Sequence, residues 1–89
     1  MTEATITISN KLGLHARAAA KFVQVATRFK SHIELQHDHR NVNGKSIMGI
    51  MMLAASRGTT LTLRAEGDDA DQAIDSLSEL VNNKFGEEE

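Results

Sequence analysis

The sequence has no cysteine, no proline, no tryptophan and no tyrosine, and its only aromatic residues are three phenylalanines. Without cysteine there are no disulfides, no thiol catalysis and no thiolate metal sites, which fits a reducing, cytoplasmic compartment. The scarcity of aromatic side chains argues against binding single-stranded nucleic acid by base stacking. A net charge of −2 gives no general attraction to nucleic acid or to an anionic membrane. We therefore expect no nucleic-acid partner.

No apolar run reaches the length of a membrane-spanning helix, and the first three residues lack the basic start of a signal peptide. We therefore expect no membrane insertion. The 89 residues suffice for one domain, and we expect residues 1–89 to form it. The pair His37 and His39 lacks a third nearby ligand, so we expect no metal site, and no cofactor is expected either.

Alternation of apolar and polar residues predicts strands that are each buried on one face. The pattern occurs at residues 4–8, at residues 33–35 and at Thr60–Glu66. A turn at residues 37–38 leads into a short further strand around Arg40–Asn43. Because each strand has one apolar face, the sheet needs to be covered on one side only.

Apolar residues at helical spacing predict three helices. The first helix covers residues 16–28, and the second begins at Ser46, continues to Leu53 and closes near Gly58. The third has acidic residues at its start, where Asp69 and Gln72 have the spacing of a capping box.

The third helix ends at Lys84 and Gly86, and residues 87–89 are expected to be a frayed tail. The order of elements is therefore βαββαβα. This order predicts an α+β, open-faced sandwich in which three helices cover one face of a four-stranded, largely antiparallel sheet.

The loop before the first helix carries the candidate chemistry. Ser, Thr, Asp or Asn normally caps a helix, but His15 occupies that position here. The backbone N–H groups of Ala16, Arg17 and Ala18 should therefore be free, and with the Arg17 guanidinium they favour a phosphate-like anion. The positive helix end disfavours an imidazolium, so it favours the neutral, nucleophilic form of His15. A polar loop residue that half-caps the helix is the alternative interpretation of His15.

Two motifs make the sequence similar to a known family. Gly13-Leu14-His15-Ala16-Arg17, followed by small residues, and the later segment Asn43-Gly44-Lys45-Ser46-Ile47-Met48-Gly49 resemble HPr, the histidine phosphocarrier of the bacterial phosphoenolpyruvate-dependent phosphotransferase system. The resemblance covers essentially the whole chain. One departure is Ala18, where the family usually has proline.

The resemblance implies a phosphocarrier rather than an enzyme. His15 would accept a phosphoryl group on Nδ1 from enzyme I, Arg17 would contact that group, and enzyme IIA domains would receive it. Ser46 is expected to cap the second helix, and the resemblance adds phosphorylation at Ser46 by an HPr kinase/phosphorylase. The sequence does not separate a role in sugar uptake from one in the nitrogen-related regulatory branch.

A partner-binding surface is also implied by the resemblance, with an apolar centre beside His15 and a polar rim. Packing of the methionines into the core is the alternative for the centre. The residues expected at this surface are Ala20, Lys21, Gln24, Lys45, Ile47, Met48 and Met51. A second hypothesis of another class is a regulatory module that binds partners through the methionine helix, with His15 incidental or used only for signalling.

Overall fold

The computed structural model describes residues 2–87. This part of the chain forms four strands and three α helices, followed by a short 3-10 turn at Lys84–Gly86. The elements in chain order are β1 (Thr2–Thr7), α1 (Ala16–Ala26), β2 (His32–His37), β3 (Arg40–Asn43), α2 (Ile47–Met52), β4 (Thr60–Glu66) and α3 (Ala70–Asn82). The predicted order βαββαβα is confirmed.

The four strands form one sheet with the order β1-β4-β2-β3, and each neighbouring pair is antiparallel. One apolar row crosses all four strands through Ala4, Leu63, Leu35 and Val42. In the next row, side chains point to the opposite face and are polar throughout: Thr5, Thr62, Gln36 and Asn41. The sheet is therefore covered on one face, and the α+β open-faced sandwich is confirmed.

The core lies between the apolar face of the sheet and the helices α1 and α3. Ala18, Ala19 and Phe22 of α1 are fully buried. The alanines have small side chains, which lets α1 pack closely against α2 and α3. α3 contributes Ile74 and Leu77 from the stripe that the sequence predicted.

Two helix ends differ from the prediction. α1 ends at Ala26 rather than at residue 28, because Arg28 and Phe29 donate to carbonyls three residues earlier and tighten the last turn. α2 ends at Met52, and Ala54 takes a left-handed φ of 50° that stops it before Gly58 is reached.

The predicted capping box at the start of α3 is wrong. Asp69 is the N-cap residue, but its side chain makes no cap hydrogen bond. The carboxylate instead accepts from the backbone N–H groups of Lys30 (2.8 Å) and Ser31 (3.0 Å) and from the Ser31 hydroxyl. Ser31 is buried in the connection from α1 to β2, where its donors need a partner. The Ser31 hydroxyl, followed by the Lys30 N–H, lowers the pKa of Asp69.

No helix within residues 2–87 is long and apolar enough to cross a membrane.

Candidate functional site

The loop before α1 is fixed by the backbone of the segment that follows α2. The N–H of Leu14 donates to the carbonyl of Ala55 at 2.9 Å. Gly13 has a φ of +68°, in the left-handed region that favours glycine. A Cβ on Gly13 would lie 2.5 Å from the Ala55 oxygen, so a larger residue does not fit without displacing backbone. These contacts place His15 at the start of α1.

The start of α1 has no side-chain cap. His15 is the N-cap residue with an extended backbone (φ −78°, ψ 178°), and its ring does not bond to the first turn. Its carbonyl accepts from the N–H of Ala19, but the N–H groups of Ala16, Arg17 and Ala18 have no acceptor within residues 2–87. Free donors at the positive end of a helix suit an anion. The uncapped start expected from the sequence is present.

Arg17 adds a charge to this position. It is the second residue of α1 and is exposed to solvent. A guanidinium can bind a phosphate group with two parallel N–H···O bonds. Its place beside the free N–H groups gives the helix start one flexible cation in addition to its fixed donors.

The imidazole of His15 is partly buried, and one of its nitrogens is already engaged. Nε2 lies 2.6 Å from Oε2 of Glu87, and the other oxygen of that carboxylate accepts from the amide nitrogen of Asn10 at 3.2 Å. Burial works against ionisation of Glu87, but the hydrogen bonds from His15 and Asn10 outweigh it and lower the pKa of this carboxyl. Nδ1 is therefore the ring nitrogen that remains for a ligand.

The expectation of a frayed tail is wrong at Glu87. The side chain of Phe85 is fully buried, and its carbonyl accepts from the Nζ atom of Lys21 at 2.6 Å. The N–H of Glu87 then donates to the carbonyl of Lys84 at 2.9 Å. The segment after α3 is thus folded back onto α1. Residues 88 and 89 of the expected tail lie outside the described residues.

Ser46 caps α2, as the sequence predicted. Its Oγ accepts from the N–H of Gly49 at 3.0 Å, and the side chain is half-buried. Nothing in this contact tests phosphorylation, which stays a prediction.

An apolar surface is exposed on α2 and on the loop before α1. We call it the methionine patch. It consists of Leu12, Ile47, Met48, Met51 and Met52, which are between 41% and 73% exposed. Packing of these methionines into the core is thereby excluded. The hydrogen bond from Leu14 to Ala55 joins the loop that carries Leu12 and His15 to the segment after α2.

The other residues expected at the partner-binding surface differ in exposure and in contacts. Gln24 is exposed and Ala20 is half-buried on α1. The amines of Lys21 and Lys45 donate to the carbonyls of Phe85 and Phe29, so both lysines also support the fold.

Sequence reasoning missed three residues near His15. Glu87 contacts the ring of His15, and Asn10 contacts the loop at Gly13. The two residues also contact each other, although they are far apart in the chain. No local pattern indicates that contact. Leu12 did carry a signal, because a large apolar residue directly before a turn glycine has no strand or helix to bury it.

The four-stranded open-faced sandwich thus presents a histidine and an exposed arginine at an uncapped helix start, an arrangement that suits a phosphate group. The family described as "PTS HPr component phosphorylation site" matches residues 2–83 of this chain. The chain belongs to this family, the HPr phosphocarriers of the phosphotransferase system. Glu87 lies beyond the matched residues.

Relatives of known name agree with this membership. The chain is 55% identical over 85 residues to the phosphocarrier protein HPr of Pseudomonas aeruginosa, covering 94% of each chain. It is 51% identical over 89 residues to the HPr of Neisseria meningitidis serogroup A, covering 100% of each. It is also 42% identical over 85 residues to the phosphocarrier protein NPr of Shewanella violacea, covering 96% of this chain and 93% of that protein.

Solved structures give the same fold. The crystal structure of HPr-C-His from Thermoanaerobacter tengcongensis matches with a TM-score of 0.96 and 55% identity, covering 100% of each chain.

Proposed function

We propose that the chain acts as one HPr-like domain that accepts a phosphoryl group on Nδ1 of His15 and passes it on. The donor is phosphorylated enzyme I, which takes the group from phosphoenolpyruvate, and the acceptors are enzyme IIA domains. The protein is a stoichiometric carrier without turnover of its own, and it works in the cytoplasm. One observation carries the proposal: the ring stands at an uncapped helix start with Nε2 engaged and Nδ1 left over.

The same backbone serves both states of the carrier. Before transfer, Nε2 is engaged by Glu87, so the lone pair of Nδ1 is available. After transfer, the free N–H groups of Ala16 and Ala18, together with Arg17, stabilise the negative charge of the phosphoryl group.

The test is incubation with enzyme I and labelled phosphoenolpyruvate. The wild-type protein should acquire an acid-labile label, and His15→Ala should acquire none while its thermal unfolding stays cooperative. His39→Ala is the matched control, because His39 is exposed in the turn between β2 and β3. Undiminished acid-labile labelling of His15→Ala would rule out the assignment.

Docking on the methionine patch is the second part of the proposal. Exposed, flexible apolar side chains suit an interface that has to accept several partners and release them quickly. Gln24, Lys45 and Ala20 would lie at its edge. Met48→Asp should raise the KM for transfer from enzyme I. Glu66→Lys, which reverses a surface charge on β4, should leave that KM unchanged.

Phosphorylation of Ser46 by an HPr kinase/phosphorylase would regulate that docking. A phosphate at a helix start is tolerated, and it adds a charge of about −2 beside Met48. Ser46→Asp should therefore slow transfer, whereas Ser46→Ala should leave the rate unchanged. Equal rates for wild type and Ser46→Asp would contradict this role.

A second candidate function is a regulatory module of the nitrogen-related branch that binds its partners through the methionine patch, with His15 incidental. The match to an NPr protein and the exposed methionine patch support it. If partner regulation is lost in Met48→Asp but kept in His15→Ala, the module is favoured. Loss in both variants favours the carrier.

A further inference from the structure

We propose that Glu87 is a positioning residue for transfer at His15. Its carboxylate fixes the neutral ring in the tautomer whose lone pair is on Nδ1, and it offsets the positive charge of the ring when Nδ1 bonds to phosphorus. This inference rests on the proposed function and extends it to a residue outside the matched family region.

The contact at Nε2 determines which nitrogen carries the proton. An ionised carboxylate can only accept a hydrogen bond, so the Nε2 atom of His15, 2.6 Å from Oε2 of Glu87, must be the donor. A neutral imidazole has a single N–H group. The lone pair that can attack phosphorus is therefore on Nδ1.

The carboxylate of Glu87 is itself held in place by Asn10, which is fully buried. The amide of Asn10 faces two groups that can only accept, the carbonyl of Gly13 at 2.8 Å and Oε1 of Glu87 at 3.2 Å. Its nitrogen must therefore point toward both of them. One amide thus ties the carboxylate to the same loop that places His15.

The main chain brings Glu87 to this position independently of its charge. Lys84 and Phe85 both have a left-handed φ of 57°, which turns the chain after α3. The buried ring of Phe85 and the bond from Lys21 to its carbonyl then anchor the segment. Within residues 2–87, the groups that act electrostatically on this carboxylate are the imidazole of His15, which is titratable, and the amine of Lys21.

The transfer step needs no proton from solvent. The lone pair of Nδ1 forms a bond to phosphorus, the bond from phosphorus to the donor atom breaks, and that atom keeps its electron pair. The ring, which still has its Nε2–H, becomes a cation beside the carboxylate of Glu87. In onward transfer the pair of the P–Nδ1 bond returns to Nδ1, and the original tautomer is restored.

The variants Glu87→Ala and Glu87→Gln test this role, with Glu79→Gln on the exposed side of α3 as the control for lost charge. Imidazole nitrogen shifts measured by NMR on the unphosphorylated proteins report the tautomer. Transfer kinetics with enzyme I report the rate. Thermal unfolding reports whether each variant is folded.

In Glu87→Ala we expect a mixture of the two neutral tautomers and a kcat for transfer about tenfold lower, with KM unchanged. Glu87→Gln keeps an oxygen that can accept from Nε2, so it should retain the Nε2–H tautomer while losing part of the rate. Glu79→Gln should behave as wild type.

The inference is overturned if Glu87→Ala keeps a single Nε2–H tautomer, or if it transfers at the wild-type rate. If Glu87→Ala fails to fold, the nearly isosteric Glu87→Gln decides, and a wild-type rate in that variant overturns the role of the charge. If wild type is not labelled at all, the proposed function fails instead. The tautomer measurement is independent of labelling, so the two failures are distinguishable.

Discussion

Replacing Gly13 by alanine should disturb both the stability of the protein and its candidate site. Gly13 has a φ of +68°, and a Cβ there would lie 2.5 Å from the oxygen of Ala55 and 2.9 Å from the Cα of Ser56. Both neighbours are backbone atoms, so neither can move away as a flexible side chain would. The loop has to shift, and with it the hydrogen bond from Leu14 to Ala55.

The expected cost is the sum of two effects. Alanine in the left-handed region costs about 1–2 kcal/mol, and loss of the hydrogen bond from Leu14 costs about 0.5–1.5 kcal/mol. We therefore expect Gly13→Ala to lower the free energy of unfolding by about 2.5 kcal/mol. For a domain of this size, that corresponds to a fall in Tm of about 10–20 °C. Labelling of His15 should slow as well, because the loop positions the ring.

Gly58→Ala is the matched control. Gly58 also has a positive φ, +90°, but a Cβ there would meet no heavy atom within 4 Å. It should therefore show the backbone strain alone, about 1–2 kcal/mol, with normal labelling. Urea and thermal denaturation of both variants measure the difference. If Gly13→Ala is no less stable than Gly58→Ala, the close approach to Ala55 does not constrain the loop.

Three further substitutions each test the role of one residue. The hydrogen bonds from Ser31 and its neighbour lower the pKa of Asp69, so the ionised carboxyl adds stability above the ordinary value of 3.8, and this stability is lost as the pH falls through the lower folded-state value. Urea denaturation in this acidic range should show a steeper loss for wild type than for Asp69→Asn, and equal slopes would contradict the assignment. Ser46→Ala removes the acceptor of the Gly49 N–H and should cost about 1 kcal/mol in urea denaturation; an unchanged midpoint would show that the cap contributes nothing. Ala18→Pro removes an N–H without an acceptor within residues 2–87, so it should raise the free energy of unfolding by about 0.4–1 kcal/mol. The transfer rate should not rise, and a large gain in rate would show that alanine limits transfer at this site.

The fold could be predicted because its elements have strong local patterns. β4 alternates regularly and was predicted with the bounds that the structure has, Thr60–Glu66. Because each strand has one apolar face, the helices need to cover only one side of the sheet, which predicts the open-faced arrangement. The strand order β1-β4-β2-β3 was not predicted, because it depends on contacts between distant segments.

The candidate site was predictable only in its local part. The missing cap at His15 is a property of neighbouring residues, and the structure contains it. The acidic partner of the ring was missed because Glu87 is 72 residues away and belongs to a polar end of the chain. The error at Asp69 has the same cause: the capping box assumes a local partner at Gln72, but the carboxylate accepts from Ser31, 38 residues away.

The pairing of β1 with β4 has a consequence for biosynthesis. Thr2 lies opposite Ala65, so the first strand emerges from the ribosome long before its partner strand has been made. Until then, the apolar side chains of β1 lack the strand that they pair with in the folded sheet. The complete sheet, with the loop that carries His15, should therefore form late in synthesis, once β4 is available.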